Sequence, residues 1–368
     1  MAEQDPLTYE QTGVSYADMD PFKIVAQMAG RSTARNLSRF GYQEIAESRG
    51  ESAYVWDEGD KYGAMVTEGL GTKNLVADAV RPLSGRTHYD AVAQDTVAMI
   101  VNDLIVVGAS PKVMTAHFSV GDSAWFKDKD RVKDLVWGWA AACNQAGAVW
   151  GGGETPTLKG VLEPGAIELS GTAVGEISPK SNLMLGEKIV PGDSIIFLGS
   201  TGIHANGLTL AREIASRLED GYATRLADGS LYGEAILKPT RIYVKAAQQL
   251  MEHVDVHYMA NITGHGWRKI MRAKQAVSYV IDQVPKPQPI FDFIEEQSGN
   301  DEQEMYGNFN MGVGFVVFVG RSDEKRALEL LSDFPFASMR GGTVEDGPKQ
   351  VVIEPKNLTF SEGSLKVR

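Results

Sequence analysis

Glycine placement constrains this chain more than any other feature. Of its 368 residues 39 are glycine, and they gather at the ends of apolar runs instead of spreading as a linker would spread them. Four places show a strand-like apolar run broken by glycine and small polar residues: AMVTEGLGTK (64–73), GAVWGGGETPT (147–157), SIIFLGSTGIHANG (194–207) and FNMGVGFVVFVG (309–320). Where a strand passes into a helix through such a turn, free backbone N–H groups and the helix N-terminus form a natural phosphate site. Helical patterns fall between these runs, at 95–107, 133–146 and 208–218, so the expected class is α/β, mixed with α+β, with its elements interleaved.

Length and composition set the frame. A single domain usually holds about 100–200 residues, so 368 residues predict two. The polar, proline-punctuated stretch SPKSNLMLGEKIVPGD (178–193) is the linker candidate, dividing the chain near Ser181 into 1–180 and 181–368. With 43% apolar and 23% charged residues and no apolar stretch near the roughly 18 residues of a span, a soluble protein is expected. The opening lacks a basic region followed by an apolar one, which makes the cytoplasm the expected location. A net charge of −12 excludes a broad nucleic-acid or anionic-membrane surface, so anionic ligands must be met locally. The single cysteine, Cys143, excludes an intrachain disulfide and a cysteine-built zinc site, and its apolar surroundings predict burial. His253 and His257 read as surface or interface residues rather than metal ligands, and NDEQEMY (300–306) as an acidic surface connection.

Polar groups inside apolar segments point to chemistry. In DTVAMIVNDLIVVGASP (95–111), Asp95 and Asn102 lie about 20° apart on one helical face, with Asp103 some 80° round. Such groups imply either an ion pair or a metal site. Glu68 and Glu154 sit in glycine turns beside strands, where carboxylates suit Mg²⁺ bridged to nucleotide phosphates. Lys73 follows the first turn as a point charge for phosphate, unless it is a solvated surface lysine. The turn GSTGIHANG (199–207) presents His204, a residue that titrates near neutrality, and Asn206. KPTRIYVK (238–245) brings Lys238, Arg241 and Lys245 before a helix, and NITGHGW (261–267) adds Thr263, Gly264 and His265. No GxxxxGK[ST] loop and no GxGxxG after a first strand is present, so the nucleotide fold is neither a P-loop nor a Rossmann one.

Taken in order, the segments resemble one family, aminoimidazole ribonucleotide synthetase. YEQTGVSYADMD resembles its opening Y-x-x-A-G-V-D-I-D, TEGLGTK its T-D-G-V-G-T-K, and residues 95–111 its D-x-V-A-M-x-V-N-D-L-x-x-x-G-A-x-P. GGGETPT resembles the G-G-E-T-A core, GSTGIHANGLTL the S-S-G-x-H-S-N-G-Y-S-L element and ILKPTRIYVK the L-x-P-T-R-I-Y-V-K element. NITGHG and EMYGNFNMGVG complete the series, which runs from about residue 9 to 317.

The resemblance implies two α/β domains, with N-terminal sheets pairing across a homodimer. It implies ATP-dependent closure of formylglycinamidine ribonucleotide to aminoimidazole ribonucleotide, with ADP and phosphate released. On this reading Glu68, Asp95, Asp103 and Glu154 chelate Mg²⁺, and His204, Lys73 and Asp103 take part in the chemistry. Nucleotide contacts fall to Gly69, Gly71, Thr72, Lys73, Asp95, Asn102, Gly152, Gly153, Thr155, Asn206, Thr263 and Gly264. The partners are a small nucleotide substrate and a second copy of the chain, with no nucleic acid and no membrane. Glu68 stands where the family has aspartate, TPTLKGVLEPG departs from its E-M-P-G-M-Y, SRFGYQEIAESRG replaces its G-G-F-G loop, and His265 stands where glycine is usual. These changed loops motivate the rival reading, a catalytically silent or substrate-altered dimeric ATP-binding protein of the same fold.

Overall fold

The computed structural model describes residues 7, 12, 13 and 15–365. Residues 9–11 and 14 of the opening motif lie outside them. The first half contains α1 (Tyr16–Arg31), β1 (Gln43–Glu44), β2 (Tyr54–Asp57), β3 (Tyr62–Gly69), α2 (Lys73–Ser84), α3 (Tyr89–Val106), β4 (Ser110–Val120), α4 (Lys129–Ala146), β5 (Val149–Glu154) and β6 (Ile167–Ile177). Its six strands form one sheet in the order β1-β2-β3-β6-β4-β5, antiparallel except for the β4–β5 pair. Strict alternation along β6 explains the layering, because Ile167, Leu169, Ala173 and Ile177 are buried while the residues between them face outward. Gly171 and Gly175 share the buried face, where a Cβ would come within 3.0 Å of Ile100 and of Leu104 on α3. Small residues at these two places let α3 lie close on the sheet.

α3 is buried along nearly its whole length, as expected of a helix apolar on all sides. It begins earlier than the pattern at 95 suggests. α4 likewise starts at Lys129 because Asp128 caps it, accepting from the Arg131 N–H at 3.1 Å. Residues 178–193 carry no strand or α-helix and join this half to the next.

The second half contains β7 (Ser194–Gly199), α5 (Leu208–Arg217), α6 (Tyr232–Ile236), α7 (Val244–His253), β8 (Val256–Asn261), β9 (Val277–Ile281), α8 (Pro289–Ser298), α9 (Glu302–Asn308), β10 (Val313–Val319), α10 (Glu324–Leu331), β11 (Ser338–Asp346), β12 (Gln350–Ile353) and β13 (Leu358–Ser361). Its seven strands run in the order β13-β12-β9-β11-β7-β10-β8. The inner strands β7 and β10 are near-continuous apolar runs, as burial on both faces demands. The acidic run 300–306 corrects the sequence reading. Asp301 accepts from the Glu304 N–H at 2.8 Å and caps α9, whose Met305 and Tyr306 are buried. Its acids mark a helix start, not a surface connection.

Candidate active site

A cavity of about 630 Å³ opens where α1, the end of β3, α3 and two glycine turns of the second half meet. Each wall has a local cause. Glu68 is the penultimate residue of β3, half-buried, and its side chain enters the cavity as the strand ends in the glycine turn. Asp103 comes from the last turns of α3 and is held by Asn261 at the end of β8, whose Nδ2 donates to its Oδ1 at 2.7 Å. Asn206, at the start of α5, accepts the Gly264 N–H at 3.0 Å, so the turn at 204–207 and the turn at 263–265 are fastened together.

Opposite the two carboxylates stand Lys269 and Arg272. The Lys269 ammonium is buried and donates to the Thr263 hydroxyl, and burial holds its pKa below the ordinary lysine value. Arg272 donates to the Gly50 carbonyl (3.0 Å) and the Ser52 hydroxyl (2.9 Å) and lies 3.5 Å from Glu51. Glu68 is pushed up to about 7, first by loss of water around it and then by the neighbouring Asp103 charge, with Lys269 and Arg272 pulling the other way. Two carboxylates crowded in this manner form a place that a divalent cation relieves. Among the described residues no three His, Cys, Asp or Glu converge as metal ligands. A two-carboxylate site fits Mg²⁺, which keeps several waters and shares phosphate oxygens, better than a cation needing an all-protein cage.

His265 also lines this cavity, buried, with a left-handed backbone at φ 71°. Its imidazole is held down to about 3 by burial first and by the Lys269 charge next, so it is neutral near pH 7. On the open side α1 contributes Met19, Phe22 and Lys23, and the Lys23 ammonium pairs with Asp20 at 2.8 Å.

Of the residues singled out in the sequence, the structure brings together Glu68, Asp103, Asn206, Thr263 and Gly264. Others have different tasks. Lys73 is fully buried, donating to Asp95 (2.8 Å) and to the carbonyls of His204 (2.9 Å) and Lys238 (2.8 Å). It is therefore neither a phosphate-facing point charge nor a solvated lysine. Asp95 also accepts from the Thr240 N–H (2.7 Å) and hydroxyl (2.5 Å), which resolves the choice at this residue in favour of the ion pair. Asn102 binds the same segment, donating to the Arg241 carbonyl (2.7 Å) and accepting from the Tyr243 N–H (3.0 Å). The polar face of α3 thus grips the PTRIY segment, and Asp95 is engaged in that grip.

His204 is buried at φ 61°, and its Nε2 accepts from the Thr201 N–H at 3.2 Å. Burial, followed by the Lys73 and Arg241 charges, lowers it to about 3, so the imidazole is neutral near pH 7 and holds its turn through the Thr201 N–H. Gly69, Gly71 and Thr72 form the turn after Glu68 but do not line the cavity. Gly152, Gly153, Glu154 and Thr155 lie exposed at the end of β5. A Cβ at Gly153 would meet the Ala116 carbonyl oxygen at 1.9 Å, so glycine there serves the pairing of β5 with β4. Glu154 stands beside His117 across that pair and outside the cavity.

The sequence reading missed Lys269, Arg272, Glu51 and Lys23. The first two carried a signal: a basic pair one helical turn apart, directly after the NITGHGW glycine turn, in a chain of charge −12. Glu51 and Lys23 had none, since both come from loops or helices remote in sequence.

Comparison with known proteins agrees with this architecture. Residues 50–177 match the AIR synthase related protein, N-terminal domain, and residues 190–354 the AIR synthase related protein, C-terminal domain. The chain is 38% identical over 362 residues to a phosphoribosylformylglycinamidine cyclo-ligase of Pyrococcus furiosus, covering 96% of this chain and 99% of that relative. It is 36% identical over 330 residues to the cyclo-ligase of the same name from Methanothermobacter thermautotrophicus, covering 89% and 92%. Among solved structures, the hydrogenase maturation protein HypE in complex with ATP superposes with a TM-score of 0.56 at 17% identity, covering 83% of this chain and 87% of that one, a likeness of fold alone. The chain belongs to the AIR synthase related protein family and carries both its N-terminal and its C-terminal domain.

Proposed function

We propose that this chain is an ATP-dependent cyclo-ligase that converts formylglycinamidine ribonucleotide to aminoimidazole ribonucleotide, releasing ADP and phosphate in purine biosynthesis. The observation that carries the reading is the cavity in which Glu68 and Asp103 face Lys269 and Arg272, within a chain similar over almost all its length to proteins named phosphoribosylformylglycinamidine cyclo-ligase. In this reaction the formyl amide oxygen is phosphorylated, an internal nitrogen attacks that carbon, and phosphate departs with the oxygen.

The cavity's own groups suit these steps. Mg²⁺, when bound, neutralises the charge that builds on the transferring phosphoryl group. Glu68 and Asp103 are the residues to hold it, with Asn261 fixing the Asp103 carboxylate. Lys269 from a buried position and Arg272 from a half-buried one supply positive charge to phosphate oxygens, where water screens them less than on the surface. Thr263, Gly264 and Asn206 form the polar wall that orients the nucleotide. Lys73, Asp95, Asn102 and His204 act one layer back by fixing the PTRIY segment and the 199–207 turn.

The same reading divides the chain near Ser181 into a nucleotide-binding and dimerising domain, 1–180, and a second α/β domain, 181–368. It makes the working unit a homodimer joined through the outer face of the first sheet, and the cytoplasm its location. No helix among the described residues is long and apolar enough to cross a membrane.

The test is phosphate release from ATP with Mg²⁺, with and without formylglycinamidine ribonucleotide, together with detection of the aminoimidazole product. One product per phosphate, dependent on that substrate, is the expected outcome. Asp103→Asn should lower kcat/KM by at least about 10². ATP binding without turnover by the wild type would overturn the reading.

A further inference from the structure

A second cavity, of about 350 Å³, lies between the two halves of the molecule, beside a different part of α3 from the one that bears Asp103. Gln94 of α3 and Gln145 of α4 form one side, and Arg241, Lys245, Phe334 and Phe336 the other. No aspartate or glutamate lines it, although the chain as a whole carries twelve more acidic than basic side chains. Among the described residues, neither Arg241 nor Lys245 has a carboxylate within 4.0 Å.

Arg241 is held in place without being neutralised. Its backbone carbonyl accepts from Asn102, its guanidinium carbon lies 5.7 Å from the centre of the Phe336 ring, and its Nε is buried with no hydrogen-bond partner. That nitrogen is closed off by protein, whereas the charge of the guanidinium meets no carboxylate and is left for the anion of a ligand. Lys245 adds a second, exposed charge from the first turn of α7, whose amide dipoles also favour an anion. Phe336 and Phe334 stack on each other at 5.5 Å and 15°, and Tyr243 meets Phe336 edge-on at 5.4 Å, giving this side of the cavity a fixed aromatic surface. Gln94 is fixed as well, donating to the Thr240 carbonyl at 2.8 Å.

We propose that this inter-domain cavity is a binding site, separate from the cyclo-ligase cavity, for a small phosphate monoester that carries a flat ring. The phosphate is met by the Arg241 fork and the Lys245 point charge, and the ring lies on the Phe334–Phe336 surface. A volume of about 350 Å³ accommodates a ligand of that size.

Calorimetry on the full chain, with phenyl phosphate and inorganic phosphate as probes, tests the proposal. Phenyl phosphate should bind at least about tenfold more tightly than inorganic phosphate because only it uses the aromatic surface. Lys245→Gln, at an exposed position, should weaken both, and Arg241→Gln with Lys245→Gln should weaken phenyl phosphate by more than about tenfold. Lys269→Met, in the other cavity, should leave that binding unchanged. Crystals soaked in tungstate should show anomalous scattering beside Arg241 and Lys245. Loss of binding in Lys269→Met with retention in the double variant would assign the anion to the cyclo-ligase cavity and overturn the proposal. Equal affinity for the two probes would overturn the ring-bearing ligand class, and no binding by the wild type would overturn the site itself.

Discussion

Lys73 shows what one residue can reveal before and after its surroundings are known. In sequence it follows a glycine turn, and a lysine so placed suits a phosphate as well as it suits solvent. In the fold its ammonium is wholly enclosed and ties together Asp95, the carbonyl of His204 and the carbonyl of Lys238, three points far apart in the chain. Helical periodicity did place Asp95 and Asn102 on one face, and that is observed. It left open what they meet, because Asp95 pairs with Lys73, 22 positions upstream, and both residues bind the 240–243 segment, more than 130 positions downstream, contacts that no local pattern reports. A buried pair of this kind is worth little over an apolar substitute, yet half of it is worse than none. Lys73→Met should therefore destabilise the protein by about 3–5 kcal/mol by stranding the Asp95 carboxylate. Lys73→Met combined with Asp95→Leu should recover part of the loss, as urea unfolding will show. A single variant as stable as the wild type would mean that Asp95 is neutralised in some other way.

At the scale of elements, the apolar runs and the helix patterns were legible because burial imposes periods of 2 and 3.6 wherever a face is covered. α9 was not, because its first turn is made of the acids that a helix N-terminus favours, and these look like a solvated loop until the Asp301 cap is seen. The cavity was legible in part for the same reason. Glycine turns announced Glu68, Thr263, Gly264 and Asn206, whereas Glu51 meets Tyr258 and Arg272, both more than 200 positions away in the chain.

The edge strand β8 carries a testable device of its own. His257 reaches past β10 to Asp193, just before β7, with Nδ1 to carboxylate 2.7 Å, while Asp255 lies 3.6 Å from its Nε2 and is itself paired with Lys188. The hydrogen bond to Asp193 raises the imidazole pKa above its ordinary value, against a smaller opposing effect of burial. A raised folded-state pKa means that the clasp contributes in full below the unfolded value of about 6.5, and that its contribution fades as pH climbs through the folded value. The difference in urea midpoint between the wild type and His257→Asn should accordingly be largest near pH 6 and shrink above that window. A difference independent of pH would show that the imidazolium contributes nothing to holding the edge.

For the whole molecule, the outer face of the first sheet poses the remaining question. An antiparallel sheet covered on one side ordinarily shows polar side chains on the other. Here Met65, Val174, Val113 and Val149 stand on neighbouring strands in register, across β3, β6, β4 and β5, and are 38%, 42%, 43% and 64% exposed. Thr67 and Thr172 bond to each other at 2.8 Å in the next row, leaving a flat surface with little charge at its centre. The opposite face is already filled by α3 and α4, and among the described residues no element covers the row. In the homodimer proposed above, it is a second copy of the same sheet, related by a two-fold axis, that would cover this row. Val174 sits mid-sheet in that row, and a lysine there points outward from a folded monomer while placing two like charges in the dry centre of the dimer. Val174→Lys should consequently keep the wild-type circular dichroism yet sediment as a monomer where the wild type sediments as a dimer. A wild type that is monomeric at micromolar concentration, or a variant that still pairs, would remove this face as the joint between subunits.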